Sequence, residues 1–369
     1  MKADSRLIIL SAGGTGGHMF PAAALARELL ARGCRVELVT DARGNRHANA
    51  FAGIPVHVIP AGTLGRGAAG KVRGMAGLGA GIIRAFGLLR RLRPAAVVGF
   101  GGYSSFPAVF AAQRLNIPTV IHEQNAVLGR ANIMLALKAT RIALSLPHRN
   151  GLNEAQLKRS AVTGNPVRAE IAALGAKPYP ALDAQSPLRI FVMGGSLGAS
   201  VFSAIVPMAL EQLPDPQRAR LEVMQQCRAD DLEAVRAAYK ESGIAARLES
   251  FFNDVPAILA GCHLVISRSG ASTVAEVTAA GRPAIFVPYP HHADQQQKAN
   301  AETVVAAGGA WMMTEDDFTV DALSPCIGTF LENPHTLVQA AAAARSCGKP
   351  DAAHRLCDLV METIGGKAG

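Results

Sequence analysis

One pattern occurs twice in the sequence and constrains the fold more than any other feature. An apolar run at 7–10 leads into Gly-Gly-Thr-Gly-Gly at 13–17, and a second at 189–193 leads into Gly-Gly-Ser-Leu-Gly at 194–198. An apolar stretch with helical spacing follows each glycine cluster. The two copies lie 181 residues apart, so the chain repeats a strand, a glycine-rich turn and a helix at the scale of a domain.

Short β-rich runs alternate with helical segments in both halves of the chain. The predicted strands are Leu7–Leu10, Val36–Val39, Val56–Ile59, Ala95–Gly99, Thr119–His122, Arg141–Leu144, Arg189–Met193, Glu222–Gln225, His263–Ser267 and Pro283–Val287. Such alternation predicts parallel sheets with helices on both faces, and 369 residues suffice for two domains of this kind. We therefore predict two doubly wound, Rossmann-like α/β domains joined near 165–171, with a ligand site in the cleft between them.

The charge is distributed unevenly between the halves. Residues 1–165 contain 21 Lys and Arg against 6 Asp and Glu, whereas the remainder contains 16 against 22. A basic half indicates an anionic ligand or surface, and nucleic acid, phospholipid and pyrophosphate all fit at this point. The six cysteines show no Cys-x-x-Cys spacing, so neither a disulfide framework nor a zinc site is indicated.

The segment 62–94 alternates Arg and Lys with Leu, Ile, Met and Phe. It fits either a solvated helix or an amphipathic helix that lies on an anionic bilayer. Nucleic acid is the weaker candidate, because the segment is poor in aromatic residues and no nucleic-acid-binding motif is present. We expect no spanning helix, since no apolar run reaches the ~18 residues that one needs.

The first glycine-rich loop matches neither familiar phosphate-binding fingerprint. It lacks the Lys of the triphosphate loop, and Met19 stands where Gly-x-Gly-x-x-Gly requires its third glycine. Asp41, after the second strand, keeps a dinucleotide-binding interpretation open, and a tight turn without a ligand is a third one. His18 lies at the tip of the loop, where an imidazole can accept a proton from a hydroxyl near neutral pH, although a lone histidine is more often structural.

A second glycine cluster, VVGFGGYSSFP at 97–107, again follows a predicted strand. We expect the two helices behind these loops to open at Pro21 and Pro107, and a pyrophosphate would fit between the loops. Further on, His122, Glu123, Gln124 and Asn125 follow a strand, and four consecutive polar residues at its carboxyl end favour a binding site.

The second half offers a comparable set of polar residues. Ser269–Thr273 form an amide-rich turn, and Glu276 lies about one helical turn later, where its carboxylate can bond a ribose. Thr273-x-x-Glu276 also fits a capping box, which is the structural alternative. Gln296 and Gln297 can bond sugar hydroxyls. The spacing of the histidines and aspartate at 291–294 fits no common metal site, so no metal is predicted.

Seven stretches in one order resemble a known family: GGTGGHMFPAAALA, GFGGYSSFPAVFAA, HEQNAVLGRAN, TGNPVR, GGSLGAS, SRSGASTVAE and DQQQKANA. The family is the undecaprenyl-diphospho-muramoylpentapeptide β-N-acetylglucosaminyltransferases of peptidoglycan synthesis, which convert lipid I to lipid II. The resemblance covers almost the whole chain. It implies a GT-B fold with an acceptor- and membrane-facing domain at 1–165, a UDP-sugar domain at 166–340, and helices at 341–369 that pack back toward the first domain.

The resemblance also implies the reaction and its residues. N-acetylglucosamine would pass with inversion from its UDP donor to the C4 hydroxyl of the muramoyl sugar of lipid I, with His18 as candidate general base and no cofactor or metal. Donor-binding residues would be Thr15, Gly16, Gly17, Asn125, Arg168, Ser196, Phe252, Ala271, Ser272, Thr273, Glu276, Gln296 and Gln297. The acceptor's pyrophosphate would bind at Gly13, Gly14, Gly101, Gly102 and Tyr103.

Partners and location follow from the same resemblance. We expect a peripheral protein on the cytoplasmic face of the bacterial inner membrane, bound to its anionic surface and not to nucleic acid, with other cell-wall and division proteins as further partners. Two departures affect the donor side: Leu197 replaces a glutamine that the family commonly has, and Gln-Gln-Cys-Arg at 225–228 replaces His-Gln-Ser/Thr-Gly. A UDP-N-acetylglucosamine epimerase, a dinucleotide-dependent dehydrogenase and a non-catalytic membrane scaffold remain as alternatives.

Overall fold

The computed structural model describes residues 6–14, 16–62, 67–147, 151–195, 198–291 and 294–365. The chain divides into two compact units. One contains the described residues up to Arg168 together with those from Asp351 onward, and the other is Ala169–Pro350. Each unit is built on its own parallel sheet.

The first unit alternates strands and helices from its beginning. Its elements are β1 (Leu7–Ser11), α1 (Gly16–Ala31), β2 (Arg35–Thr40), β3 (Val56–Val58), α2 (Gly67–Leu92), β4 (Ala96–Gly99), α3 (Gly102–Arg114), β5 (Thr119–Glu123), α4 (Arg130–Ala136), β6 (Arg141–Leu144), α5 (Glu154–Leu157) and β7 (Ser160–Val162), with a 3₁₀ segment at Gly44–Phe51. In the described residues the strands form one sheet in the order β3-β2-β1-β4-β5-β6-β7.

The central strand β1 shows why the apolar runs are nearly continuous. Ile8 and Leu10 face one core, which α1 helps to form, while Leu7 and Ile9 face the other core, which includes Leu89 of α2. Successive side chains of a strand point to opposite faces, and both faces of this sheet are covered. The strand is therefore buried along its whole length.

The second unit repeats this arrangement. Its elements are α6 (Ala169–Ala172), β8 (Leu188–Met193), α7 (Ser200–Glu211), α8 (Asp215–Arg218), β9 (Leu221–Gln226), α9 (Leu232–Glu241), β10 (Ala245–Glu249), α10 (Val255–Gly261), β11 (Leu264–Ser267), α11 (Ala271–Ala279), β12 (Ala284–Phe286), α12 (Gln296–Ala306), β13 (Ala310–Met312), α13 (Val320–Glu332) and α14 (His335–Cys347), with 3₁₀ segments at Ala173–Ala176 and Ala229–Asp231. Its described strands lie in the order β10-β9-β8-β11-β12-β13.

The final helix, α15 (Ala352–Gly365), belongs to the first unit. Its Leu356 and Val360 are buried in the core that contains α1, and Asp358 pairs with Arg32 at 2.6 Å. The preceding helix α14 stays in the second unit, where its backbone passes so close to Gly309 that a Cβ there would lie 2.5 Å from the amide nitrogen of Ala344. The segment that returns to the first unit is thus shorter than the predicted 341–369.

The predicted fold class is confirmed, since both sheets are parallel and place the strand before the glycine-rich loop at their centre. The predicted helix starts at Pro21 and Pro107 are wrong, because α1 begins at Gly16 and α3 at Gly102. Proline is favoured at the first helical residue, but its fixed φ of about −65° also fits a helix further in, where it costs one backbone hydrogen bond. Here both prolines lie inside their helices, so the residues just after the glycines form the first turns.

Helix α2 bears on the expectation of no spanning helix. Its segment Val72–Leu92 has a mean hydropathy of 1.3 over its most apolar window and is, in the described part of the chain, the one helix long and apolar enough to cross a membrane. Glycine and alanine, rather than a run of large apolar residues, make up much of this length. Arginines interrupt this segment, and length and composition alone are weak evidence for a span, so the expectation of no spanning helix stays a prediction.

Candidate active site

The carboxylate of Asp41 stabilises the first glycine-rich loop by hydrogen bonds. Its Oδ1 accepts hydrogen bonds from the amides of Gly14 (3.1 Å) and Gly44 (2.8 Å), and its Oδ2 accepts from Arg43 Nε (3.1 Å). Burial alone would raise the pKa of Asp41, but these donors hold the pKa below its ordinary value. Because both oxygens already accept hydrogen bonds, the acid that a dinucleotide-binding interpretation needs is engaged elsewhere.

The two glycine-rich loops of the first unit touch each other. A Cβ on Gly13 would lie 2.6 Å from Cβ of Ser104, which belongs to the first turn of α3. Gly101 and Gly102 have φ of +79° and +70°, a conformation that favours glycine. The loops follow the neighbouring parallel strands β1 and β4. The N-termini of α1 and α3 therefore lie side by side, at the carboxyl ends of these strands.

His18 lies in the first turn of α1, against the second glycine-rich loop. Its Nδ1 is 3.2 Å from Oε1 of Gln124, and a Cβ placed on Gly102 would lie 3.4 Å from its Nε2. Burial lowers the pKa of His18 below its ordinary value, and the charge of Glu123 and the bond to Gln124 offset this only in part. The imidazole is therefore neutral near pH 7, as a general base must be.

Two neighbouring side chains at the end of β5 have different roles. Glu123 accepts from the amides of Asn125 (3.0 Å) and Gly129 (2.9 Å) and from Nδ2 of Asn132 (2.8 Å). It thereby shapes the loop that carries Asn125. Gln124 instead turns toward His18. The predicted polar residues 122–125 thus lie at the candidate site, but the carboxylate of Glu123 stabilises the loop that carries Asn125.

Arg168 is the last residue of the first unit, although the predicted domain boundary assigned it to the second. Its guanidinium lies 5.7 Å from the ring centre of Phe20, within the range of a cation–π contact. Phe20 in turn packs on Gly16, where a Cβ would lie 2.8 Å from the ring. These contacts bring Arg168 to the first turns of α1. The predicted donor residue Thr15 lies outside the described residues.

The glycine-rich loop of the second unit repeats a detail of the first. Gly195 has φ of +81° and Gly14, its counterpart in the repeat, has φ of +83°. Gly198 is also left-handed, with φ of +68°, and the aliphatic part of Arg228 covers it so closely that a Cβ would lie 2.9 Å from Arg228 Cγ. Ser196 and Leu197 lie outside the described residues.

The predicted turn at the start of α11 is present. Ala271, Ser272 and Thr273 form the first helical turn behind the N-cap Gly270, and Glu276 follows within the helix. The cap makes no side-chain hydrogen bond, and Thr273 lies inside the helix, so the capping-box alternative is wrong. The turn is held from the next helix by Asn300, whose Nδ2 donates to the carbonyl of Ser269 at 3.1 Å.

The two glutamines of the second unit begin helix α12. Oε1 of Gln297 accepts from the amide of Tyr289 at 3.0 Å, so Gln297 fastens the loop after β12. Arg268 holds the same loop, because it donates to the carbonyls of Val287 and Pro288 at 3.2 Å each and pairs with Glu315. Gln296 is the first residue of the helix, next to this loop.

Phe252 and Phe251 follow β10 and differ in exposure. Phe252 is buried, with its ring edge-on to Phe191 (centroids 5.7 Å apart) and its other side near the Arg247 guanidinium at 5.0 Å. Phe251 is 59% exposed. An exposed aromatic ring beside the predicted uracil contact is suited to base stacking. Phe251 could not be predicted from the sequence, because an isolated phenylalanine is more often part of a hydrophobic core.

The side chains that depart from the family pattern at 225–228 serve mainly the interior. Gln225 accepts from the hydroxyl of Tyr239 at 2.6 Å, and Gln226 donates to the carbonyl of Ser250 at 3.1 Å. Cys227 is buried, and burial raises the pKa of its thiol to about 11. In the part of the chain that the structure describes, no three His, Cys, Asp or Glu side chains group in a way that could hold a metal ion.

Comparisons with known proteins agree with this architecture. The sequence matches the glycosyltransferase family 28 N-terminal domain over residues 8–144 and the family's C-terminal domain over 189–356. The chain is 54% identical, over 97% of its length and 94% of the relative's, to the UDP-N-acetylglucosamine–N-acetylmuramyl-(pentapeptide) pyrophosphoryl-undecaprenol N-acetylglucosamine transferase of Rhodospirillum centenum. It is 48% identical to the enzyme of the same name in Paramagnetospirillum magneticum, with both chains covered completely.

Solved structures give the same result. The crystal structure of Acinetobacter baumannii MurG matches with a TM-score of 0.79 and 31% identity, covering 97% of this chain and 99% of that one. A UDP-GlcNAc 2-epimerase from Neisseria meningitidis matches with a TM-score of 0.65 but only 13% identity, over 96% and 99% of the two chains, and so shares the fold alone. The chain belongs to glycosyltransferase family 28 and, within it, to the UDP-N-acetylglucosamine–N-acetylmuramyl-(pentapeptide) pyrophosphoryl-undecaprenol N-acetylglucosamine transferases.

Proposed function

We propose that this enzyme transfers N-acetylglucosamine from UDP-N-acetylglucosamine, with inversion, to the C4 hydroxyl of the muramoyl sugar of lipid I and so forms lipid II in peptidoglycan synthesis. The names and full-length similarity of its relatives support the substrates. The single structural observation that carries the chemistry is a neutral His18 whose Nε2 faces the glycines of the second loop.

The first unit suits the acceptor. The N-termini of α1 and α3 offer backbone amides and positive helix dipoles at one sheet edge, which favour a pyrophosphate. Gly13, Gly14, Gly101, Gly102 and the adjoining Tyr103 lie at this edge. His18 stands between the two loops, so a sugar hydroxyl next to the bound pyrophosphate comes within reach of a base.

The second unit suits the donor. The first turn of α11 presents amides for a phosphate, Glu276 follows on the same helix for the ribose, and Phe251 exposes a ring for the uracil beside the backbone of Phe252. Gln296 and Gln297 begin α12 for the sugar hydroxyls, and Ser196 belongs to the glycine-rich loop. From the first unit we assign Thr15, Gly16, Gly17, Asn125 and Arg168 to the donor as well.

The departing diphosphate needs positive charge in the transition state. We assign that charge to Arg168 and to the helix N-termini, and we propose that the enzyme needs no metal or organic cofactor. Transfer activity that survives saturating EDTA would agree with this assignment, whereas activity restored only by a divalent cation would contradict it.

We also propose that the enzyme works at the cytoplasmic face of the inner membrane, where other cell-wall and division proteins are its neighbours. Along α2, Val72, Met75 and Ile83 are 67%, 66% and 74% exposed, and exposed arginines at 73, 84, 90 and 91 lie among them. Apolar side chains between arginines are the composition of helices that rest on anionic lipid.

The purified protein, UDP-[¹⁴C]N-acetylglucosamine and a lipid I analogue test the reaction. We expect label in the lipid product, and a loss of kcat on the order of 10²-fold or more in His18→Ala, since general bases contribute this much. No transfer to a competent acceptor would contradict the proposed reaction. UDP-sugar turnover without an acceptor would favour the epimerase instead.

A further inference from the structure

Behind His18 lies a chain of hydrogen bonds to which the proposed function assigns no role. Nε2 of His122 is 3.0 Å from the carbonyl oxygen of Gly164. Nδ1 of His122 is 3.2 Å from Nε2 of Gln124, whose Oε1 is 3.2 Å from Nδ1 of His18. The Gln124 amide also lies 2.8 Å from the carbonyl oxygen of Phe100. His122 and Gln124 are both buried.

The carbonyl groups of Gly164 and Phe100 determine which atom is the donor in each of these hydrogen bonds. A carbonyl oxygen only accepts, so His122 carries its proton on Nε2 and donates it to Gly164. Burial lowers the pKa of His122 to about 4, so the ring is neutral at pH 7 and its Nδ1 is an acceptor. The carbonyl of Phe100 likewise requires the NH₂ group of Gln124 at its side. A flipped amide would place oxygen against oxygen there.

The tautomer of His18 then follows. The two protons of the Gln124 amide go to Phe100 and His122, so Oε1 is the atom that faces His18. Because that oxygen only accepts, Nδ1 of His18 must carry a proton. A neutral imidazole has one such proton, which leaves the lone pair on Nε2, the nitrogen that faces Gly102.

We propose that Gln124 and His122 are positioning residues that hold His18 in the Nδ1–H tautomer, so that Nε2 is always ready to take the acceptor's proton. The inference rests on the proposed function, in which His18 is the base. As the acceptor oxygen bonds to the anomeric carbon, its proton passes to Nε2 and the bond from that carbon to the phosphate oxygen breaks, with the electron pair leaving on UDP. Gln124 continues to accept from Nδ1 of the resulting imidazolium.

Two ionisable groups act on the pKa of His18 from the elements around it. Glu123 from β5 and Asp41, which follows β2, both favour the charged form of His18. His18 in turn lowers the pKa of His122. A neutral Gln124 therefore sets the tautomer without adding a further charge.

The first test is the protein itself. In a uniformly ¹⁵N-histidine-labelled sample at pH 7.5, assigned through the spectrum of His18→Gln, we expect His18 to show a protonated Nδ1 and an unprotonated Nε2. A proton on Nε2 would overturn the proposal whatever the activity. The tautomer is observed in the unsubstituted protein, and the His18→Gln variant serves only to assign the signal.

Two variants test the consequence for catalysis. Gln124→Leu removes the acceptor beside His18 Nδ1. We expect kcat to fall on the order of 10²-fold with little change in KM for the donor, because His18 with its proton on Nε2 cannot accept another proton there. Gln113→Leu is the matched control: Gln113 donates to the carbonyl of Leu135 within the same unit, away from His18, and its loss should leave kcat within about twofold.

The ¹⁵N spectrum of Gln124→Leu gives a readout that a purely structural role would not move. Without the acceptor beside Nδ1 nothing holds the His18 proton on that nitrogen, so we expect the signal of a protonated Nε2 to appear in this variant. An unchanged tautomer, or wild-type kcat in Gln124→Leu, would overturn the proposal. If His18→Ala itself retains full kcat, the proposed base is wrong, and that result is distinguishable because the ¹⁵N spectrum still reports the tautomer.

Discussion

Glu123 and Gln124 are adjacent in the chain, yet one shapes a loop and the other orients a histidine. The sequence places both at the carboxyl end of a strand, which is enough to predict a site. It does not divide their roles, because the partner of Gln124 lies 106 residues earlier in the chain. Roles set by such distant contacts depend on the register of the sheet, which short motifs do not encode.

Asp41 offers a prediction at the same scale. In Asp41→Asn the amide NH₂ must face either the amides of Gly14 and Gly44 or the guanidinium of Arg43, and all of these are donors. We expect a loss of about 1.5–3 kcal/mol in the free energy of unfolding, the range for hydrogen bonds to charged groups, and a lower kcat because the first glycine-rich loop loosens. Urea titrations and transfer assays measure the two effects.

The pH dependence of that loss has a definite sign. The pKa of Asp41 is depressed in the folded state, so its contribution is present above the unfolded pKa of about 3.9 and disappears as pH falls through the lower folded value. The wild type and Asp41→Asn should therefore converge in stability at strongly acidic pH. Asp183→Asn is the control, since Asp183 also accepts from two amides, at 2.8 and 2.7 Å, but is exposed. A comparable loss of kcat in this control would contradict a specific role for Asp41.

At the scale of elements, the sequence predicts all the inner strands but misses three of the four edge strands. All ten predicted strands exist, but Ser160–Val162, Ala245–Glu249 and Ala310–Met312 were not predicted. Each of the three lies at the edge of its sheet. An edge strand is covered less completely, so its side chains need not form the apolar run by which buried strands are recognised. Ala245–Glu249, for example, contains no buried residue.

Helix α2 carries the second prediction. If its exposed face rests on anionic lipid, Arg84→Gln with Arg91→Gln should weaken binding to phosphatidylglycerol vesicles by roughly fivefold per residue, since each basic residue contributes ~1 kcal/mol near such a surface. The effect should shrink at high salt. Arg90 is left unchanged because it also packs on Phe86, 5.9 Å from the ring centre.

The matched control lies on α9 of the second unit. Arg236→Gln with Lys240→Gln removes the same charge from another helix, where Arg236 is 55% exposed. We expect vesicle sedimentation to be almost unaffected by this pair. Equal weakening by the two pairs would show that net charge, and not the face of α2, governs binding.

At the scale of the molecule, the two units have the same strand order around their first strand, and the glycine repeat visible in the sequence marks that strand in each. The sequence could therefore predict both the number of units and their class. It could not predict that α15 returns alone, because α14 and α15 are adjacent helices that both combine apolar and polar residues. The unit in which each helix packs depends on where its side chains and backbone fit. Gly309 leaves the space that the backbone of α14 occupies in the second unit.

A chain that ends at Pro350 tests this division. It lacks Leu356, Leu359 and Val360, which are buried in the first unit. We expect amide hydrogen exchange to accelerate through β1, β2 and β4 while β8 and β11 keep their protection, because removing one large core side chain already costs 2–5 kcal/mol. A chain that ends at Gly365 should behave as the full chain does. Uniform loss of protection in both units would contradict the assignment of α15.

The return of α15 also sets the order of events during synthesis. Proteins commonly fold from the N-terminal domain onward as the chain leaves the ribosome. Here the first unit still lacks a buried helix when its first 168 residues have emerged, whereas the second unit is complete once Pro350 is made. The second unit is therefore the first that can finish folding on the nascent chain. The core beneath His18 and its neighbouring loops is complete only after α15 has been made.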